Sequence, residues 1–148
     1  MPSTYAILHY HLVFSTKNRR PFIADTWRGR LHAYLGGTVG GLDAFPESVG
    51  GVEDHVHLLV GLTPSHRLSD FVRELKKQSS AWVHEEVCEA QFGWQEGYAA
   101  FTVSPTARED VRRYIANQTE HHRRTTFREE IVDLLNRAGL EYDPRYLD

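Results

Sequence analysis

The order of elements written in this sequence predicts an α+β fold: a split βαβ arrangement in which an antiparallel sheet carries helices packed on one face. Two observations predict it. Period-two runs and helical stripes alternate as β, α, β, β, α, β, α, α. One run, His55-Val56-His57-Leu58-Leu59-Val60, turns continuously apolar at its end, as a strand covered on both sheet faces does.

Residues 5–16 are rich in aromatic and branched side chains and read as the first strand, with Pro21 in the loop after it. Asp25 or Thr26 can open a helix bearing Trp27, Leu31, Tyr34 and Leu35, and Gly36 with Gly37 is expected to fray its end. Residues 45–53 carry Pro46 and two glycines and form a weaker strand that hairpins into 55–62, which Pro64 closes. Ser65 or Ser69 can open the next helix, whose stripe is Leu68, Phe71, Val72, Leu75, Ser79, Trp82 and Val83. Residues 97–103 give another strand. Thr106 with Glu109 has capping-box spacing and starts a helix running to about Glu120. Thr126 with Glu129 repeats that signal for a last helix bearing Phe127, Ile131, Leu134 and Leu135, ended by Gly139. Residues 141–148 read as an extended tail. The split βαβ order is the ferredoxin-like one, with the 55–62 strand in the middle of the sheet.

Length and composition fit a single domain spanning residues 1–148, with 41% hydrophobic and 25% charged residues. No apolar run approaches the roughly 20 residues of a membrane span. Met1-Pro2-Ser3-Thr4-Tyr5 lacks the basic and apolar regions of a signal peptide, so the expected location is cytoplasmic. The single cysteine, Cys88, excludes an internal disulfide and a multi-cysteine zinc site. A net charge of −3 argues against a nonspecific nucleic-acid binder but hides three basic knots. These are Lys17, Arg19 and Arg20; Arg73, Lys76 and Lys77; and Arg112 and Arg113 with Arg123, Arg124 and Arg128.

His55 and His57 stand one residue apart on a strand, so both imidazoles face one side and can grip one metal ion. Taken alone, the pair reads more readily as two ordinary histidines. Tyr114 and Gln118 are four residues apart on a helix and share a face. Singly, Tyr114 reads as a core aromatic and Gln118 as a surface amide; jointly with the histidines they suggest chemistry. A phenol can attack phosphorus and stay attached as a phosphodiester, provided a divalent cation polarises the phosphate. Two imidazoles and the Gln118 amide oxygen leave coordination sites open for phosphate and water. Imidazole donors favour zinc, nickel, manganese or iron over magnesium. His121 and His122 diverge by about a hundred degrees on a helix and are read as helix-end cations or DNA contacts rather than a shared ion site.

At these motifs the chain resembles the single-tyrosine transposases of the HUH superfamily, of the insertion-sequence 200/605 type. The resemblance rests on five segments: 11–20, 54–59, 75–80, 94–98 and 114–118 with Glu120-His121-His122. It implies that Tyr114 forms a 5′-phosphotyrosine link on single-stranded DNA and leaves a free 3′-hydroxyl. It further implies that His55, His57 and Gln118 hold Mg²⁺ or Mn²⁺, that hairpin DNA ends are bound, and that the protein is a homodimer with composite active sites. The basic residues Lys17, Arg19, Arg20, Arg73, Lys76, Lys77, Arg112 and Arg113 are then expected at phosphates, and Tyr10 and Phe14 against bases. Two other readings stay open: a hairpin-DNA-binding protein that no longer cuts, and a small metallohydrolase unrelated to DNA.

Overall fold

A computed structural model describes residues 3–147; Met1, Pro2 and Asp148, and with them the very start of the chain and the end of the tail, lie outside the described residues. The sheet comprises β1 (Leu8–Ser15), β2 (Phe45–Gly51), β3 (His55–Leu62) and β4 (Ala99–Val103) in the order β2-β3-β1-β4, every neighbouring pair antiparallel. This is the split βαβ order, with β1 and β3 in the centre. The helices are α1 (Asp25–Gly41), α2 (Leu68–Trp82), α3 (Arg108–Ala116), α4 (Gln118–His121) and α5 (Phe127–Ala138).

Alternation along β1 and β3 sorts side chains between two faces. Leu12, Phe14, Val56, Leu58, Val60 and Leu62 point to one, where α1 and α2 bring Trp27, Leu31, Leu35, Phe71, Val72 and Leu75 into a single apolar cluster. Burial of that kind stabilises by about 25 cal/mol per Å² of apolar surface. Phe14 is therefore core, packed edge-on against Trp94 at 4.8 Å between ring centroids, and not a base-stacking platform. The other face carries His11 and Val13 from β1 with His57 from β3, Val13 standing opposite His57 in the register.

The crossover helices α1 and α2 occupy one face as expected; the added finding is that the C-terminal segment covers the other. Phe127 and Ile131 of α5 pack on Val13. The backbone of α3 lies directly against Gly50 of β2, where a Cβ atom would stand 2.3 Å from the Ile115 carbonyl oxygen. Every residue of β3 is buried as a result.

Several element ends differ from expectation. Helix α1 runs through Gly36 and Gly37 to Gly41, because Thr38 and Val39 beyond the expected stripe are buried and outweigh the glycine penalty of roughly 1 kcal/mol each. Neither Ser65 nor Ser69 caps α2. His66 organises that turn instead, its Nδ1 accepting from the Thr63 backbone N–H at 3.0 Å and its Nε2 donating to the Leu42 carbonyl at 2.7 Å. Thr106 does not cap α3, which begins at Arg108. The helix expected to continue to Glu120 breaks at Asn117 (φ −100°, ψ 20°), and α4 restarts at Gln118. The capping box of Thr126 and Glu129 is present in both halves. The tail is not extended throughout: Asp143 caps a 3-10 turn over Pro144–Tyr146.

Candidate metal and nucleophile site

His55 and His57 project from β3 on the C-terminal helices' side of the sheet and are fully buried. The Nδ1 of His55 donates to the Asp54 carboxylate at 2.7 Å, which leaves Nε2 as its inward atom. The Nδ1 of His57 is engaged at 2.8 Å by Nε2 of His11, a neighbour on β1. Both imidazoles are thus held from behind, and their Nε2 atoms converge in front.

They converge on Glu130. Its Oε1 lies 3.1 Å from His55 Nε2 and 3.0 Å from His57 Nε2. His122 Nε2 is also 3.0 Å from that same oxygen, while its Nδ1 is 2.7 Å from the Thr125 carbonyl. The second carboxylate oxygen, Oε2, accepts from the Gln118 amide nitrogen at 3.0 Å and from the hydroxyl of Tyr114. The Gln118 amide oxygen faces His55 Nε2 at 3.2 Å. Among the described residues, His55, His57, His122 and Glu130 each present a ligand atom within 4.8 Å of the others, so the cluster could hold a metal ion.

Local structure explains how Glu130 arrives there. The capping box fixes the start of α5, and Phe127, Glu130 and Ile131 then fall on one helical face. The Phe127 ring stacks on His55 with centroids 4.2 Å apart. A carboxylate buried to this depth costs several kcal/mol unless it is paired. Here burial would raise the Glu130 carboxyl, but hydrogen bonds from His122, His55 and His57 outweigh it and hold the group well below the usual carboxylate range. Burial also opposes charge on His55, yet Asp54 and Glu130 overcome it and raise that imidazole to about 9. His57 has no such second carboxylate, and burial lowers it to about 4 despite Glu130. His11 is lowered to about 3 by burial and by His57, so it stays neutral. Burial and then the Glu130 charge push the Tyr114 phenol above its ordinary range, so it rests as a neutral hydrogen-bond donor.

The expected quartet of His55, His57, Tyr114 and Gln118 is therefore assembled within one chain. Two residues were not assigned to the site from sequence. His122, expected as a helix-end cation or DNA contact, does stand at the end of α4, but it faces inward, its Nδ1 on the Thr125 carbonyl and its Nε2 on Glu130. Glu130 had a legible signal, an acidic residue set inside the apolar stripe 127–131–134.

The basic residues divide. Lys17 and Lys77 are exposed; Arg20 lies over the Phe22 ring and reaches Gln91. Arg73 pairs with Asp70 at 3.0 Å and Arg113 with Asp110 at 3.1 Å, both at the surface. Lys76, expected at a phosphate, is half-buried and donates to the Gln95 and Gly97 carbonyls, bracing the turn before β4. Arg112, likewise expected at a phosphate, binds Glu47 and ties α3 to β2. Arg19 lines a cavity of about 390 Å³ together with His122, Arg123 and Arg124, beside the histidine cluster.

Comparison with known proteins adds the following. Residues 4–118 match the family described as "Transposase IS200 like". The ISDra2 transposase TnpA of Deinococcus radiodurans is 30% identical over 119 residues, covering 75% of this chain and 84% of that protein. A crystal structure from Deinococcus radiodurans R1, titled as that of a candidate transposase, superposes with a TM-score of 0.63 at 28% identity, covering 80% of this chain and 95% of that one. A REP-associated tyrosine transposase bound to a REP hairpin shares the fold at a TM-score of 0.54 and 18% identity, covering 78% of this chain and 67% of that one. The family match stops at residue 118, so His122 and Glu130 lie beyond it.

Proposed function

This chain belongs to the IS200-like transposase family, and on that premise we propose that it cuts and rejoins single-stranded DNA bearing hairpin ends, with Tyr114 as nucleophile. The observation that carries this reading is the meeting of the Tyr114 hydroxyl and the His55 and His57 imidazoles on a single carboxylate. In the reaction, the Tyr114 oxygen bonds to phosphorus and the bond from phosphorus to the 3′ oxygen breaks. The products are a 5′-phosphotyrosine and a free 3′-hydroxyl. The covalent link conserves the energy of the broken bond, so the strand can be rejoined without an external energy source. His55 and His57, with the Gln118 amide oxygen, would hold a divalent ion, Mg²⁺ or Mn²⁺. When bound, that ion neutralises charge developing on the phosphate.

The chain's own groups set the resting state. Glu130 keeps the phenol protonated and oriented, so attack requires this hydrogen bond to be exchanged for the substrate. Arg19, Arg123 and Arg124 beside the site, and Lys17, Arg20, Arg73, Lys77 and Arg113 further out, would meet the DNA backbone. The protein would act as a homodimer with composite active sites, the tyrosine helix of one subunit completing the site of the other.

The test is incubation of hairpin-ended single-stranded DNA with Mn²⁺. A denaturation-resistant protein–DNA adduct is expected from the wild type and none from Tyr114→Phe, with hairpin binding retained. One observation favours a second reading: the site is closed by α5. A wild-type protein that binds the hairpin but forms no adduct would be a DNA-binding protein that no longer cuts.

A further inference from the structure

We propose that Glu47 is a positioning residue for the reaction: through Arg112 and Arg108 it seats the helix that carries Tyr114, and so sets where the phenol stands. The inference rests on the reading of Tyr114 as nucleophile. It adds a residue of an edge strand, outside the cluster of histidines, Gln118 and Glu130.

Strand β2 is distorted in the way that presents this acid. Pro46 stands opposite Val60 and Ser48 opposite Leu59, so Glu47 is the extra residue of a β-bulge. Val49 packs against the apolar cluster under α1. Counting back by two from Val49 would put Glu47 on that same face. The bulge turns it to the opposite face instead. There Arg112 of α3 donates to its Oε2, and Arg108 Nε stands 4.0 Å from the same oxygen. Buried His9 of β1 stands behind, its Nε2 3.7 Å from Oε1.

Helix α3 needs such a seat. Among its described residues Ile115 alone is buried, so apolar packing by itself fixes neither its tilt nor its rotation. Arg108, Arg112 and Ile115 recur at four- and three-residue steps and share one face. The Ile115 carbonyl rests on Gly50 and the guanidinium groups rest on Glu47, so β2 holds the helix at two points. Tyr114 lies between Arg112 and Ile115, the residues that make those contacts. Glu109 is also 3.6 Å from Arg112 Nε, but it belongs to the same helix and cannot hold it to the sheet. A reacting group misplaced by about 1 Å can lose on the order of 100-fold in rate. By symmetry, a helix that completes the partner's site meets the same seat there.

The experiment compares Glu47→Gln with the exchanged pair Glu47→Arg and Arg112→Glu. On saturating hairpin-ended DNA with Mn²⁺, Glu47→Gln should slow adduct formation by about tenfold to 100-fold, with hairpin affinity and melting temperature unchanged. The exchanged pair should form adduct at least about tenfold faster than Glu47→Arg alone. A second readout needs no catalysis. In protein labelled with 3-fluorotyrosine, the fluorine resonance that Tyr114→Phe removes should shift in Glu47→Gln and return in the exchanged pair. A wild-type rate and an unmoved resonance in Glu47→Gln would overturn the proposal. So would a loss of rate matched by an equal loss of hairpin affinity, which would make the pair a DNA contact. If the wild type forms no adduct but the resonance shifts and returns as expected, Glu47 does seat the helix and the reading of Tyr114 as nucleophile is the one that fails.

Discussion

The two faces of this sheet are built from the same two central strands and solve opposite problems. One face receives Leu12, Phe14, Leu58 and Val60 under α1 and α2 and is a continuous apolar layer. The other receives His11, His55 and His57 and is closed by α3, α4 and α5 around a charged carboxylate. The apolar face is stabilised by dispersion and water exclusion. The histidine face must satisfy every buried polar atom by a partner, because an unpaired buried charge is far more costly than a small packing gap. The lesson is that residues alternating along one strand serve stability and chemistry separately, and substitutions should sort by the face they reach.

The sharpest separation is expected at Tyr114. Tyr114→Phe should lower adduct formation by about 10³-fold or more, while thermal unfolding and hairpin affinity change little. A large loss of stability would instead make the phenol a structural member of the histidine face. On the opposite face, Leu58→Ala should cost about 2–5 kcal/mol in denaturant unfolding, with the adduct yield of the remaining folded protein preserved. Gly50→Ala joins the two effects. The new methyl group would collide with the Ile115 carbonyl, so we expect about 1–3 kcal/mol of destabilisation and a disproportionate fall in adduct yield as α3 shifts. Thr126→Ala removes the α5 cap and should cost about 1 kcal/mol, read as a lower melting temperature. The smallest contrast lies between adjacent lysines. Lys77→Ala should reduce the salt dependence of hairpin binding by about one phosphate contact. Lys76→Ala should leave that slope unchanged and lower stability, since its head is spent on two carbonyls.

The faces also differ in how legible they were. The 55–62 strand was readable to the residue because its apolar run and two flanking breaks are local signals. The pairing of His55 with His57 followed from strand alternation alone. Tyr114 and Gln118 were placed on a common face by helical spacing, and they do meet at Glu130, although the helix breaks between them at Asn117. What the sequence hid is tertiary. Gly36 and Gly37 read as a helix end because their propensity is poor, yet burial of Thr38 and Val39 carries α1 onward. Thr106 and Thr126 sit in identical spacing motifs, and only the second forms a capping box; spacing does not say whether the backbone will turn. His122 and Glu130 needed knowledge of where α5 lands, which no local pattern contains.

The contact between Gly50 and α3 has a consequence for how this protein can vary. The helix carrying Tyr114 is seated through a main-chain oxygen resting on a bare Cα and through Arg112 on Glu47, so its position does not depend on its solvent-facing side chains. Residues such as Asp110 and Arg113 can vary without moving the Tyr114 hydroxyl. Inserting a single residue between Arg108 and Tyr114 is another matter: it would swing the phenol by about 100° around the helix axis and carry it away from the imidazoles.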